Sequence, residues 1–346
     1  MDIQLKPIAE QVMVITGASS GIGLVTAKRA GARGARVVLA ARNERDLARA
    51  VEDIRAAGGR AAYVVADVAD PERADAIADA ALGEFGQIDT WVNNAGVALY
   101  GRVMDVSVED MRRQFDVLYW GEVYGMRAAV SHMRARGGAI INVASALSDR
   151  AVPLQGNYAA AKHALKAFTD ALRMELEKAD VPISITLVKP GSIDTPLFDK
   201  AKSYLGVEPK PIPPVYAPEV VAETIIHCAQ HPVREIVAGG MGKMLSVARQ
   251  LPRGADEYME RTMFESQRTD KAVADRPNNL YEPVANDGGE RGSNWTGRTR
   301  RVSLYTAAAL HPRRAAAVAA LGVGALAAVV LGRGRRGGEE SAPPRE

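Results

Sequence analysis

Cysteine is almost missing from this chain. Of 346 residues only Cys228 carries a thiol, so no disulfide can form within the chain, which suits a reducing compartment or carries no information on it. Metal ligands are equally sparse. The five histidines, His132, His163, His227, His231 and His311, show no ligand spacing, and one cysteine cannot build a zinc site, so no metal is expected. The start, Met1-Asp2-Ile3-Gln4-Leu5-Lys6-Pro7, lacks the apolar core of a signal peptide, and Asn294-Trp295-Thr296 therefore reads as a chance sequon. Lysine is absent from Arg291 onward, where ten arginines face three glutamates. That end carries +7 and leaves residues 1–290 at −4, although the whole chain is only +3. The basic excess belongs to a tail, not to the body, and nothing points to nucleic-acid recognition.

What is present is organised around Thr16-Gly17-Ala18-Ser19-Ser20-Gly21-Ile22-Gly23. An apolar run, Val12–Ile15, enters it and a helical run from Leu24 leaves it. Glycines allow a sharp turn and let a phosphate approach without meeting a Cβ. The amides and dipole at a helix start favour an anion. Alone, the turn reads equally well as a phosphate pocket or a plain strand-to-helix turn.

Strand and helix signals alternate from there. Val12–Ile15, Val37–Ala40, Ala62–Val65, Ile88–Val92, Ala139–Val143 and Ile183–Val188 read as short buried strands, with Glu235–Ala238 a candidate seventh. Between them lie helical runs over Glu44–Ala57, Pro71–Phe85, Ser107–Met133 (Ser107 as N-cap) and Tyr158–Lys178. The pattern implies an α/β fold with a doubly wound parallel sheet, a Rossmann-type three-layer α/β/α arrangement, as a single catalytic domain over 8–252 with a C-terminal extension. Residues 253–312 are polar and broken by Pro277, Pro283 and Gly288-Gly289, and read as a loosely ordered connector with one candidate helix near Asp256–Ser266. In 313–336 arginines flank eighteen uncharged residues, 315–332, and 337–346 reads as a disordered tail. A spanning helix needs about 20 apolar residues. The alanine- and glycine-rich segment therefore sits at the margin, and two readings stand: a membrane anchor or surface-bound segment, or a disordered tail. The catalytic domain is expected in the cytoplasm, membrane-associated where the anchor reading holds.

Ser145, Tyr158 and Lys162 carry the chemistry. Tyr158 and Lys162 are four apart and share a helix face, and Ser145 follows the fifth strand at the carboxyl edge of the sheet. A tyrosine hydroxyl ionises near pH 10, at about pKa 10, and a neighbouring ammonium favours its phenolate. Tyr158 can then exchange a proton with a substrate oxygen that Ser145 holds by hydrogen bond.

With Thr16–Gly23, Asn93-Asn94-Ala95-Gly96, Ser145 thirteen residues before Tyr158, Tyr158-x-x-x-Lys162 and Pro190-Gly191 with Thr195, the chain resembles the short-chain dehydrogenase/reductase family over residues 8–250. The resemblance implies that Gly17, Ser19, Ser20, Gly21, Ile22 and Gly23 hold the pyrophosphate of a nicotinamide dinucleotide. It places Asp67 and Val68 at the adenine, Asn94, Ala95 and Gly96 beside the cofactor, and Pro190, Gly191, Ile193 and Thr195 at the nicotinamide, with Tyr158 and Lys162 also in contact. It further implies a homodimer or homotetramer built through the helices around 108–133 and 157–178. One departure stands out. The family places an asparagine of a proton relay in a Val-Asn-x-x-Gly run, and here Val117-Leu118-Tyr119-Trp120-Gly121 puts leucine there.

NAD-binding relatives end the second strand on an acid that holds the ribose hydroxyls. Here Ala41 is followed by Arg42, whose guanidinium attracts a 2′-phosphate, so NADP(H) is expected over NAD(H). The lid segment Leu197–Pro214 and apolar Leu99, Leu147, Val152, Leu154 and Leu197 are expected to line an oily pocket for a hydrophobic alcohol or carbonyl compound. The reading is an oxidoreductase. Its alternative, resting on Leu118, is a cofactor-binding scaffold or sensor of the same fold with little turnover.

Overall fold

The computed structural model describes residues 3–240, 254–273, 276–285, 289–313 and 315–317. Seven strands form one sheet: β1 (Val12–Thr16), β2 (Arg36–Ala41), β3 (Arg60–Val65), β4 (Thr90–Asn93), β5 (Gly138–Val143), β6 (Ile183–Pro190) and β7 (Glu235–Ala238). Their order is β7-β6-β5-β4-β1-β2-β3, and every pairing is parallel. Parallel strands need crossovers, and helices supply them: α1 (Gly21–Gly31), α2 (Glu44–Ala56), α3 (Pro71–Phe85), α4 (Val108–Phe115), α5 (Gly121–Met133), α6 (Gly156–Lys178) and α7 (Pro218–Cys228). β1 and β6 are buried along their whole length; β1 accordingly reads as an apolar run, Val12–Ile15, while β6 buries Ser184, Thr186 and Lys189 among its apolar residues. One core cluster joins Val14, Val38, Trp91, Ile140 and Ile185 of the sheet to Ile77, Met126 and Leu165 of the helices.

The chain runs from β1 outward to β2 and β3, then returns to place β4 on the other side of β1. A crevice opens where the direction switches, between the carboxyl ends of β1 and β4. Thr16 and Asn94 tie its two walls. The Asn94 and Ala95 amides donate to Thr16 Oγ1 at 3.0 and 3.1 Å, and Asn94 Nδ2 donates to the Thr16 carbonyl at 2.9 Å.

Two expectations need correction. The run from Ser107 to Met133 is not one regular helix. Ser107 does cap it, accepting from the Asp110 amide at 3.2 Å, but a π-helical turn over Asp116–Trp120 separates α4 from α5. The described residues between 254 and 303 are not a loose connector either, since the compact unit that holds the sheet runs to Ser303 and the one helix expected there is present. Helix α8 (Gly254–Ser266) is followed by a strand, Arg268–Ala272, that pairs antiparallel with Val207–Pro209 of the lid segment. Further on, Thr299–Arg300 pairs with Val215–Tyr216. Prolines and glycines broke the pattern along the sequence, but partners far away in the chain supply the hydrogen bonds that periodicity could not reveal. A second unit starts at Leu304 and contains a helix, Leu304–Leu310. Most of 315–332 lies outside the described residues; among those described, no helix is long and apolar enough to cross a membrane.

Candidate active site

A cavity of about 250 Å³ occupies the crevice. Its floor is the glycine turn. Gly17 has φ +64°, and a Cβ there would stand 2.6 Å from Ala95 Cα. At Gly23 a Cβ would come within 2.4 Å of the Gly17 carbonyl, so only glycine lets the turn fold back on the helix start. Gly17, Ser19, Ser20, Gly21 and Ile22 line the cavity, whereas Gly23 packs behind it. The remaining expected cofactor residues line it as well: Arg42, Asp67, Val68, Asn94, Ala95, Gly96, Pro190, Gly191, Ile193 and Thr195. A glycine-walled cleft against a helix N-terminus, continuous from Arg42 to Tyr158, fits an elongated, anionic dinucleotide.

Tyr158 and Lys162 face the other end of the same cavity from α6. Lys162 is 3% exposed, and its Nζ donates to the Val143 carbonyl at 2.9 Å and to Glu122 Oε1 at 2.7 Å. Ser145 follows β5 and caps a short 3-10 turn, Ala146–Ser148. Its Oγ accepts from the Leu147 amide at 3.1 Å, an accepting role that leaves the hydroxyl hydrogen to be donated. The cavity wall beside it is Ala144, Ala146 and Leu147, and Ser145 is itself buried at 9% exposure.

Three expected pocket residues lie elsewhere. Leu99 and Tyr100 form a two-residue strand in which neighbouring side chains point to opposite faces. Tyr100 takes the cavity side, and Leu99 packs with Val97, Val106, Val117 and Leu280. Val152 packs with Leu147, Ala159 and Met259, and Leu154 with Ala98, Tyr100 and Ala201. Leu147 and Leu197 do line the cavity, joined by Val97, Ala98, Leu118, Phe198, Ile212 and Met263.

Several cavity residues escaped the sequence reading. Tyr100 is one; burial keeps its hydroxyl well above the ordinary tyrosine range, with neighbouring Tyr158 adding to the effect. Lys200, on the lid, donates to Ser20 Oγ at 2.9 Å beside the glycine turn. Asn279 and Pro283 come from the extension and close the far end. There Arg42 donates to the main-chain carbonyls of Tyr281 at 2.6 Å and Asn279 at 2.5 Å, and Arg113 pairs with Asp67 at 2.5 Å. The Gly289 carbonyl accepts from the Gly21 amide, at the first turn of α1, at 2.9 Å. The extension thus forms a strap across the crevice. Lys200 carries no motif because its place depends on how the segment after β6 folds back.

Comparison with known proteins adds to this geometry. Residues 11–205 match the family model for short chain dehydrogenases. The uncharacterised oxidoreductase YxnA of Bacillus subtilis (strain 168) is 47% identical over 327 residues, 92% of this chain and 90% of that one, so the likeness continues into the strap. The 3beta-hydroxysteroid dehydrogenase 1 of Eggerthella lenta is 39% identical over 190 residues, 54% of this chain and 72% of that one. Among solved structures, L-sorbose reductase from Gluconobacter frateurii, complexed with NADPH and L-sorbose, is 29% identical with a TM-score of 0.58, covering 69% of this chain and 98% of that one.

Proposed function

The chain belongs to the short-chain dehydrogenase/reductase family, and from that premise we propose that it is an NADP(H)-dependent oxidoreductase of a hydrophobic alcohol or carbonyl compound. The observation that carries the proposal is the shared cavity: the glycine turn at one end, Tyr158 and Lys162 at the other. A bound nicotinamide supplies or accepts the hydride. Tyr158 gives its hydroxyl proton to the substrate oxygen in reduction and takes it back in oxidation. Ser145 donates a hydrogen bond to that same oxygen and fixes it toward Tyr158. Lys162 keeps a positive charge near the tyrosine, which favours the phenolate that proton transfer creates.

Two observations support the preference for NADP(H). Arg42 stands at the end of β2 where an acid would otherwise hold ribose hydroxyls, and its guanidinium is fixed by two carbonyls. Leu118, Leu147, Leu197, Phe198, Ile212 and Met263 support a hydrophobic substrate, and a relative named for a hydroxysteroid points the same way. Trp120 and Met174, both exposed on the helices around 108–133 and 157–178, support association into a dimer or tetramer.

The test is NADPH consumption against a panel of aldehydes, ketones and quinones. Turnover is expected on apolar carbonyls, and Tyr158→Phe should lower it by about 10²–10⁴-fold while NADPH still binds. Turnover that survives this substitution would remove Tyr158 from the mechanism. In thermal-shift titrations NADPH is expected to raise Tm more than NADH at equal concentration, and the reverse order would refute the cofactor preference.

A further inference from the structure

Leu118 has no polar atom with which to serve a proton relay. Its side chain lines the cavity and lies 3.4 Å from where a Cβ on Gly96 would stand. One turn further along the same helical run, Glu122 takes a place that the sequence did not mark. It is 2% exposed, and Oε1 accepts from Lys162 Nζ at 2.7 Å. Its other oxygen, Oε2, is buried with no hydrogen-bond partner. A carboxylate sealed from water and half satisfied is costly, so its retention in a core of Val123, Met126 and Ala129 calls for a reason. Lys162 from α6 is the charged group that faces it. From β4, Asn93 Nδ2 donates to the Glu122 main-chain carbonyl at 3.3 Å. From β5, the Val143 carbonyl shares Lys162 with it. The buried residues of α3, packed on α5, are Ala74, Ile77, Ala78 and Ala81.

We propose that Glu122 is a positioning residue acting through Lys162: its carboxyl holds the ammonium against the Val143 carbonyl and sets the charge beside Tyr158, and hence the pH range in which Tyr158 exchanges its proton. The proposal rests on the oxidoreductase reading above. When Glu122 is ionised, the pair is neutral and Lys162 assists the phenolate less. When it is protonated, the full ammonium charge acts on the tyrosine. Burial pushes the Glu122 carboxyl up to about 7, with Lys162 pulling the other way, so the change falls in the neutral range.

The experiment compares the full-length chain with Glu122→Gln. In alcohol oxidation the acid limb of the kcat–pH profile is expected to move down by about one pH unit, the scale of one charge several ångströms away in a partly buried site. The Kd for NADPH should change by less than about threefold, since Glu122 is absent from the dinucleotide end of the cavity. Glu122→Asp, which keeps the charge, is expected to restore the parental limb. Coincident limbs for parent and Glu122→Gln, or an equal shift in Glu122→Asp, would overturn the proposal. Infrared difference spectra without cofactor read the carboxyl directly. A carboxylic C=O band should vanish between pH 6 and 8 in the parent and be missing from Glu122→Gln. A parent without such a band overturns the proposal even where the variant does not fold. If NADPH binds but no substrate turns over, the oxidoreductase reading falls, while the infrared comparison still decides the state of Glu122.

Discussion

Tyr158 and Lys162 share one face of α6, because four residues in a helix make a little over one turn. Glu122 meets Lys162 from a different helix, α5. Spacing relates a residue to its own helix and is silent about which other helix it will meet. The π-helical turn over Asp116–Trp120 compounds this by shifting the face presented after Leu118 relative to a regular helix. In sequence Glu122 is one more acid in an amphipathic run; in the fold it is the partner of Lys162. The raised carboxyl also has a stability consequence with a definite sign. Between about 4.5, the ordinary value, and about 7, the folded chain holds a proton that the unfolded chain has released. This group therefore lends most stability below that window and loses it as pH rises. Against Glu122→Gln, the parent is expected to match or exceed the variant in Tm at pH 4.5 and to fall below it at pH 8, a difference that calorimetry reads directly.

The seven strands and the helices between them were legible because most strands are short, largely apolar and bounded by turn residues, as at Val12–Thr16. The strap was not. Its hydrogen bonds run to Arg42, Gly21, Asp199 and Pro209, between 85 and 268 residues away in the chain, and no local period encodes such pairings. Asn294, for example, donates its amide N–H to Asp199 and its side chain to the Pro209 carbonyl. Leu99 was taken for a pocket residue on its apolar character alone, and a strand of two, Leu99–Tyr100, gives no alternation from which to read that Tyr100 faces the cavity. At this scale Arg42 has two tasks, anchoring the strap and, on the proposed reading, meeting a 2′-phosphate. Arg42→Ala is expected to weaken NADPH about tenfold and NADH less than threefold in fluorescence titrations, the loss of one charge-assisted contact. Equal weakening of both would mean that the residue serves the strap alone.

At the scale of the molecule, sequence gave the catalytic body its correct order but ended it some fifty residues too soon: the compact unit closes at Ser303, not near 252. This changes what entry into the crevice involves. The first-turn amide of α1 at Gly21, one of the donors that an anion at this helix start would seek, is already satisfied by the Gly289 carbonyl. A pyrophosphate oxygen that took this N–H for itself would compete with the Gly289 carbonyl, and the strap would then have to yield. Association then has two steps, a reversible opening and a capture. In stopped-flow mixing the observed rate is expected to level off with rising NADPH concentration rather than climb in proportion to it. A rate that stays strictly proportional would mean that the strap moves faster than the cofactor can find its seat.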